Sequence, residues 1–472
     1  MTERLEGLAG LESRVRRQIG VLAHPDADWT DGADADADVV VIGGGQAGLT
    51  AAAKLRREGV ARVQVLDRED RGREGPWATW ARMRTLRTPK ILHGPDAGVP
   101  AATFAAWFSA QHGERAWEEL DLIPRPLWAE YLAWVRRVFD LDVRNGVEVL
   151  DVVPRGDRVA VRVRERRTGE TRTILARSLV VATGIDGVGG PRIPDAVAHV
   201  DPARRIHSSG ALDADSLRGR RVAVLGAGAS AFDNAATALE AGARSVVQYV
   251  RRPELPTLNT ARSGEFRGMY RHYEALDDRD KLDISRRRLS LPIPPPDHSV
   301  ARCRAHAAYD LRLGRGWRRV EETPLGVRIE DTAGESAEFD LLILGTGFAV
   351  DLDRVPWLSS LSDDIALWAD RHPLGDSAVD RTIARYPYLG EGMRLLRRTP
   401  AADPAIERIH MFNGAGLVSG GIVTSGINGL AIGSDAVARA VTRTLFLDEA
   451  RRHTEAFLAE TAAGFEAEPA AV

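Results

Sequence analysis

The chain is poor in cysteine, since Cys303 is the only one among 472 residues. A single cysteine excludes an intramolecular disulfide and a cysteine-rich metal site, and we expect no bound metal. It also excludes an internal pair of redox-active cysteines. The sequence therefore argues against disulfide reductases, whose chemistry needs such a pair.

Long apolar runs and an excess of charge are absent as well. No apolar run reaches about eighteen residues, the length that a membrane-spanning helix needs, and charged residues stand where a signal peptide would be apolar. Lys and Arg number 64 against 67 Asp and Glu, a net charge of −3. These absences predict a cytoplasmic protein that binds neither nucleic acid nor membrane.

At its start, the chain carries a helical pattern and then a linker. Apolar residues between positions 3 and 22 recur at helical spacing and predict an amphipathic helix. It would dock on its own protein or on a second subunit, and so would suit a homo-oligomer. Residues 24–37 alternate Ala with Asp and predict a solvated acidic linker. We treat residues 1–37 as one N-terminal segment.

One glycine-rich stretch near the start organises the chain. The β-branched run Val39–Ile42 predicts a buried parallel strand, and Gly43, Gly45 and Gly48 follow it at the spacing G-x-G-x-x-G, at the head of an Ala-rich helix. The first glycine permits a tight turn, the second lets a pyrophosphate approach the backbone, and the third lets helix and strand pack closely. The next strand ends at Asp67, at about the spacing where an acid binds a ribose hydroxyl.

The same pattern recurs later in the chain. A second strand, turn and helix carry Gly226 and Gly228, with Ala231 in the third small position. The next strand ends at Arg251 and Arg252 instead of at an acid. Because arginine binds a 2′-phosphate that an acid would repel, the second nucleotide is predicted to be NADPH.

Between the two motifs lie segments that could surround a substrate. Gly75-Pro76-Trp77 and the basic run at 82–90 are expected to line the cofactor and a substrate, or to form a solvated loop. Aromatic side chains at 101–139 have helical spacing and predict core helices. Short alternating strands at 147–176 predict a small antiparallel insert, after which a separate parallel strand leads into Ala182-Thr183-Gly184.

Beyond the second motif the pattern is less regular. Residues 253–308 predict an irregular excursion on the substrate side. Residues 326–339 are expected to return the chain to the first domain. A buried strand at 340–344 then ends in another glycine turn. Near the C-terminus, Asn413 and Asn428 precede or begin a helix, whose N-terminus would direct a positive dipole end at a cofactor.

Taken together, these motifs resemble those of the class B flavin-dependent monooxygenases, a group of two-dinucleotide-binding flavoproteins that comprises flavin-containing monooxygenases, N-hydroxylases and Baeyer–Villiger enzymes. The resemblance spans roughly residues 38–440. Besides the glycine motifs, it rests on Gly75-Pro76-Trp77, on His207-Ser208 just before Arg221, and on Leu344 to Phe348. The family fingerprint has Phe, Gly and an aromatic residue where this chain has Asp201, Ala203 and Ala211. This departure disfavours Baeyer–Villiger chemistry.

The resemblance implies an α/β fold with two nested Rossmann-like domains. A discontinuous FAD-binding domain would comprise residues 38–195 and 326–472, and an NADPH-binding domain, residues 196–325, would be inserted in it, with the substrate-side excursion at 253–308.

In such enzymes NADPH reduces FAD, and O2 then forms a hydroperoxide at flavin carbon 4a that the substrate attacks. The resemblance thus implies a monooxygenase whose partners are O2 and a small molecule. N-hydroxylation or S-oxygenation of a small, possibly carboxylate-bearing amine is the leading expectation. The alternatives are a Baeyer–Villiger monooxygenase, an NADPH oxidase and, outside enzymes, a flavin-binding redox sensor.

Two sets of site residues follow. The residues predicted to hold the substrate or the oxygenated flavin are Arg84, Arg87, Thr88, Lys90 and Asn413. The residues predicted to bind the two cofactors are Gly43, Gly45, Gln46, Ala47, Gly48, Asp67, Arg68, Trp77, Ala182, Thr183, Gly184, His207, Ser208, Gly226, Gly228, Ala229, Ser230, Arg251, Arg252, Thr346, Gly347 and Asn428.

Overall fold

The computed structural model describes residues 7–22, 29–30, 34–424 and 426–464, without the side chains of residues 260, 261 and 462–464. Its strands are β1 Ala37–Ile42, β2 Val63–Asp67, β3 Val143–Asn145, β4 Val147–Arg155, β5 Arg158–Glu165, β6 Thr171–Val181, β7 Arg205–His207, β8 Arg221–Leu225, β9 Ser245–Val250, β10 Tyr309–Leu313, β11 Trp317–Thr323, β12 Gly326–Asp331, β13 Ser336–Phe339, β14 Leu341–Leu344 and β15 Ile409–His410.

Helices connect and cover these strands. They are α1 Gly7–Leu22, α2 Gln46–Arg57, α3 Phe104–His112, α4 Glu114–Glu119, α5 Arg125–Val138, α6 Asp195–Ala198, α7 Ala229–Glu240, α8 Arg267–His272, α9 Asp278–Ser290, α10 Asp297–Arg304, α11 Trp368–Arg371, α12 Ala378–Ile383, α13 Leu417–Gly420, α14 Ile427–Asp448 and α15 Ala450–Gly464.

The first sheet has the strand order β3-β2-β1-β6-β5-β4, with β15 beside β6. β1 pairs in parallel with β2 and β6, as the buried runs predicted. The sequence-based division of residues 171–184 into two strands was wrong, because β6 is continuous. Its first half pairs antiparallel with β5 and its second half parallel with β1. No glycine or proline interrupts residues 171–181, so the extended backbone has nothing to break it.

A second sheet has the order β10-β9-β8-β14-β7, and β11, β12 and β13 form a third. β14 lies between β8 and β7 and pairs in parallel with both. β14 thus belongs to the second sheet, and Val327, Ile329 and Phe339 from β12 and β13 pack against that sheet. The sequence had assigned this stretch, residues 326–344, to the first domain. A buried apolar strand fits either sheet equally well, so its composition does not reveal its neighbours. We propose that the second domain extends to about residue 347, where β14 and its turn end.

Residues 253–308, predicted to be irregular, contain α8, α9 and α10. α9 is highly charged and shows little apolar periodicity, which is why the sequence did not reveal it. Its Leu282 is buried against a cluster that includes Trp368, Ile383 and Val418 from later in the chain. Tertiary packing and the N-cap, where Asp277 accepts from the backbone N–H of Asp280 at 2.8 Å, specify this helix.

The N-terminal helix α1 docks on its own chain. Leu11 and Val15 are buried, and the side-chain oxygen Oε1 of Gln18 accepts a hydrogen bond from the backbone N–H of Ala101 at 2.9 Å. Of the two expected locations, its own protein or a second subunit, the helix thus occupies the first. A homo-oligomer stays a prediction. The start of the predicted helix and most of the linker predicted at 24–37 lie outside the described residues.

A search for membrane-spanning segments within the described ranges finds no single helix of sufficient length and apolarity. One bent pair of helical stretches, Gly414–Thr424 and Ile427–Asp448, meets the criteria by length and composition only. Those same ranges hold no cluster of His, Cys, Asp and Glu suited to a metal ion.

Candidate functional site

The first glycine turn joins β1 to α2 and leaves room for one group at its centre. A Cβ at Gly43 would lie 2.5 Å from the carbonyl oxygen of Ala182, and one at Gly48 would lie 1.8 Å from that of Gly43. A Cβ at Gly45 would meet only Gly75, at 3.7 Å. Close packing therefore requires the first and third glycines, while the middle one faces open space at the start of α2, where backbone N–H groups are free to bind a phosphate.

Asp67 stands at the end of β2, beside this turn. Its carboxylate accepts hydrogen bonds from the backbone N–H of Gly44 at 2.7 Å and of Glu69 at 2.8 Å, and burial raises its pKa. A cavity of about 160 Å³ lies next to Gly44 and is lined in part by Trp77. Arg68, in contrast, is exposed and pairs with Glu69 at 3.2 Å. The Asp67 carboxylate keeps lone pairs with which to accept from a ribose hydroxyl.

On the other side of β1, the end of β6 meets the C-terminal part of the chain. The side-chain amide of buried Asn413 donates to the Thr183 hydroxyl at 3.3 Å, and its carbonyl oxygen accepts from the backbone N–H of Ala415 at 3.0 Å. The backbone N–H of Gly414 donates to the carbonyl oxygen of Gly184 at 3.3 Å. The predicted Ala182-Thr183-Gly184 segment and Asn413 are therefore neighbours.

The helices α2 and α14 direct their N-termini to the same edge. Lys54 and Asp435 form an ion pair at 3.5 Å, and each stands in the third turn of its own helix. Near the end of α14, the carbonyl oxygen of Leu445 accepts from Arg177, which also pairs with Asp38 at the start of β1. Because α2 leads from the end of β1 back to the start of β2, both helices run in the same direction. Asn428, in the first turn of α14, donates to the carboxylate of Glu265 at 2.9 Å. Two positive dipole ends thus lie side by side at the edge that holds the first glycine turn.

The second glycine turn, between β8 and α7, repeats this geometry. A Cβ at Gly226 would lie 2.4 Å from the carbonyl oxygen of Gly345, whereas one at Gly228 would meet nothing within 4 Å. Ala229 and Ser230 form the first turn of α7. Beyond the end of β9, both Arg251 and Arg252 are exposed, and neither forms an ion pair within the residues that the structure describes. These guanidinium groups are available to a phosphate.

A group of aromatic side chains joins the two domains between the turns. The ring of Phe348 lies 5.1 Å from that of His207 and 5.7 Å from that of Trp80. His207 is buried, which lowers its pKa, and its Nε2 is 3.0 Å from the carbonyl oxygen of Gly347. Its neighbour Ser208 is also buried. These contacts hold the His207 ring beside Phe348, where burial disfavours its charged form.

Three further residues predicted to bind cofactors are Gln46, Ala47 and Thr346. The Thr346 hydroxyl donates to the carbonyl oxygen of Arg192 at 2.5 Å. Gln46 opens α2 and accepts from the indole N–H of Trp128 at 3.2 Å, and Ala47 is buried beside it. These contacts fix the walls of both turns.

Two arginines of the basic segment at 82–90 form ion pairs with carboxylates of α7. Arg84 pairs with Glu240 at 2.8 Å, and Arg87 pairs with buried Asp233 at 2.8 Å. Glu240 ends α7 about 18 Å from Gly228, given a rise of 1.5 Å per residue. A role of these arginines in binding substrate therefore stays a prediction, and the observed contacts give them a second role in joining the domains.

The remaining candidates on this segment behave similarly. Lys90 donates to the carbonyl oxygens of Trp117 at 2.5 Å and Glu118 at 3.2 Å, and its ammonium lies over the Trp117 ring. Thr88 is half-buried beside Arg87. The Lys90 ammonium is held at the end of α4, so its predicted role toward the flavin has no support from these contacts.

Sequence reasoning missed two groups of charged residues. Arg302 of α10 pairs with Asp233 at 3.3 Å and with Glu240 at 2.9 Å, completing the network on α7. Arg288 of α9 lies near Tyr270, beside the start of α14. Each group is assembled from segments distant in sequence, and no local spacing reveals it.

The fold and its turns match those of known proteins. Residues 37–270 match the family model described as pyridine nucleotide-disulphide oxidoreductase. The chain is 38% identical, over 463 residues that cover 97% of both chains, to an FAD-dependent urate hydroxylase from Xanthomonas campestris.

Solved structures share the fold at low sequence identity. An ornithine hydroxylase from Pseudomonas aeruginosa matches with a TM-score of 0.67 and 17% identity, covering 87% of this chain and 99% of its own. An ornithine N-hydroxylase from Kutzneria sp. 744, solved with reduced FAD, NADP+ and L-ornithine, matches with a TM-score of 0.64 and 18% identity, covering 86% and 99%.

Proposed function

The chain belongs to the two-dinucleotide-binding, FAD-dependent flavoprotein monooxygenases, and on this premise we propose that it is an NADPH- and O2-dependent enzyme that hydroxylates urate or a closely related anionic purine. The proposal rests on the match to the urate hydroxylase, which is 38% identical to this chain over 463 residues and covers 97% of both chains. The single cysteine supports oxygenation over the disulfide chemistry in the name of the matching family model, since that chemistry requires a cysteine pair.

The residues at the two turns fit the two cofactors. Space at Gly45 and the free N–H groups of α2 suit the pyrophosphate of FAD, and Asp67 suits its ribose. The open position at Gly228 suits the pyrophosphate of NADPH, and the free Arg251 and Arg252 suit its 2′-phosphate. In each turn, a side chain is excluded at the first glycine, which faces the end of the neighbouring strand, and is accommodated at the middle one.

When bound, FAD would supply the redox chemistry, taking a hydride from NADPH and allowing one atom of O2 to be transferred to the substrate. The other oxygen atom leaves as water, and NADPH supplies both electrons. The residues of the two glycine turns would hold the two nucleotides, with the pyrophosphates at Gly45 and Gly228. Trp80, His207 and Phe348 pack against one another beside the second glycine turn, and burial there disfavours the charged form of His207.

Asn413 and α14 act on the flavin side of the crevice. Asn413 is held by Thr183 and Ala415 in one orientation, so its position is preorganised. The N-terminus of α14 directs a positive dipole end toward the edge that carries α2, where it would stabilise negative charge on a reduced flavin.

The test is a coupled substrate assay on the purified, FAD-loaded protein. We expect urate to stimulate NADPH oxidation and to be consumed one for one with NADPH, with little hydrogen peroxide released. L-ornithine and L-lysine represent the carboxylate-bearing amines, whose N-hydroxylation is the competing assignment. Stimulation and hydroxylation with either amine, but not with urate, would contradict the proposal. Hydrogen peroxide equal to the NADPH consumed, with urate intact, would instead indicate an oxidase.

A further inference from the structure

Arg288 is a guanidinium without a partner in a region rich in paired ones. It lies in the last turn of α9, is half-buried, and makes no hydrogen bond or ion pair within the described ranges. Burial lowers its pKa, yet an arginine stays charged at any physiological pH. A partly desolvated cation with no directly bonded carboxylate carries a free-energy cost that a bound anion would relieve.

The face of α9 that carries Arg288 points toward α8 and the start of α14. Ser285, one turn earlier on the same face, is buried within 3.4 Å of the Tyr273 hydroxyl, which donates to the carbonyl oxygen of Val418 at 3.2 Å. The Arg288 guanidinium approaches Gly264, where a Cβ would lie 3.7 Å from its Nη2. This packing fixes the end of the helix and thereby the direction of the arginine.

Polar groups surround the guanidinium without neutralising it through a direct bond. Glu265 is exposed and accepts from the amide of Asn428 at 2.9 Å. Tyr270 lies within hydrogen-bonding reach of the same amide, and both Tyr270 and Glu265 are close enough to act on the Arg288 charge. The cluster therefore combines the N–H donors of the Arg288 guanidinium with the phenol of Tyr270 and the side-chain amide of Asn428.

This cluster borders the edge where the flavin is proposed to bind. Asn428 is in the first turn of α14, whose N-terminus lies beside that of α2 and so beside the first glycine turn. Three other arginines considered above, Arg84, Arg87 and Arg302, are already bonded to the carboxylates of α7. The Arg288 guanidinium on α9, in contrast, is available to bind an anionic substrate near the flavin.

We propose that Arg288 binds the anionic edge of the substrate, with Tyr270 and Asn428 completing a recognition site for a planar anion such as urate. Deprotonated urate presents a ring nitrogen and an adjacent carbonyl oxygen as two neighbouring acceptors, which match the fork of a guanidinium. The inference rests on the proposed function, because it assigns the substrate position of that same site.

The test compares Arg288→Gln and Arg288→Lys with a matched control, Arg287→Gln. Arg287 is the exposed neighbour on the same helix, so its substitution makes the same chemical change outside the cluster. Urate binding to the oxidised, FAD-loaded protein is titrated by calorimetry without NADPH, and the KM for urate and for NADPH is measured in turnover. Thermal midpoints and flavin content monitor folding.

For Arg288→Gln we expect urate affinity to fall at least tenfold and the KM for urate to rise in parallel, with the KM for NADPH and the flavin content unchanged. Arg288→Lys should retain part of the affinity, and Arg287→Gln should equal the unmodified chain. If the unmodified chain hydroxylates urate and Arg288→Gln binds it equally well, the assignment of Arg288 is wrong while the proposed function stands. If the unmodified chain neither binds nor hydroxylates urate, the proposed function fails and this inference fails with it.

Discussion

The two glycine turns have similar geometry, but they differ in which side of the contact between helix and strand carries an alanine. In the first turn the helix carries Gly48, and the strand across from it continues into Ala182. In the second turn the helix carries Ala231, and the equivalent strand, β14, continues into Gly345. A Cβ at Gly345 would lie 2.5 Å from the Cβ of Ala231. At the corresponding positions, the first turn carries its methyl group on the strand end, at Ala182, and the second carries it on the helix, at Ala231.

A second difference lies at the end of the neighbouring strand. β2 ends in buried Asp67, which bonds to the turn itself, whereas β9 leads into exposed Arg251 and Arg252. The acid suits a ribose with free hydroxyl groups, and the arginines suit a ribose with a 2′-phosphate. The turns thus differ in two independent respects, packing and charge. Different substitutions can test each of these two differences.

The largest effect is expected for Gly48→Ala. The added Cβ would lie 1.8 Å from the backbone oxygen of Gly43, which cannot move without opening the turn. We expect a loss of at least about 3 kcal/mol in stability, with little FAD-loaded protein recovered. The control is Gly20→Ala in α1, where a Cβ meets nothing within 4 Å. Thermal midpoints and flavin content give the result, and an intact flavoprotein would show that the helix has more freedom than its packing indicates.

Gly345→Ala tests the exchanged methyl group in the second turn. We expect a destabilisation of about 2 kcal/mol, because the new Cβ collides with Ala231. Ala231→Gly alone should cost about 1 kcal/mol. The double variant should recover part of the loss, since it transfers the methyl group from helix to strand as in the first turn. A calorimetric double-mutant cycle measures this coupling, and strict additivity would contradict the proposed equivalence.

Gly45→Ala and Gly228→Ala test the middle glycines as a reciprocal pair. Both residues have extended backbone, with φ of −74° and −75°, so alanine fits without strain. Each methyl group would occupy the path of a pyrophosphate. We expect at least about tenfold weaker FAD binding for Gly45→Ala and a similar rise in the KM for NADPH for Gly228→Ala. Each variant is the control for the other, and equal effects on both cofactors would show that the turns are not independent sites.

Features encoded within a few adjacent residues could be predicted from the sequence. Both glycine turns and their flanking strands were, because their geometry depends on neighbouring positions. The parallel pairing of β14 with β8, and the continuation of β6 from its pairing with β5 into its pairing with β1, depend on register between distant segments. The cluster at Arg288 likewise draws on three separate parts of the chain, and the arginines of the basic segment have their partners on α7. Neither arrangement leaves a local pattern.

The smallest effect is expected for the double variant Arg251→Ala and Arg252→Ala. Loss of charge-assisted hydrogen bonds to the 2′-phosphate should raise the KM for NADPH about tenfold, equivalent to about 1.4 kcal/mol. The KM for NADH should not change, because NADH lacks that phosphate. Arg244→Ala, an exposed arginine at the other end of β9, is the control. Equal loss with both nucleotides would assign the arginines to folding or general electrostatics. A preference for NADH in the unmodified chain would remove the contrast in charge between the turns and leave only the exchanged methyl group to distinguish them.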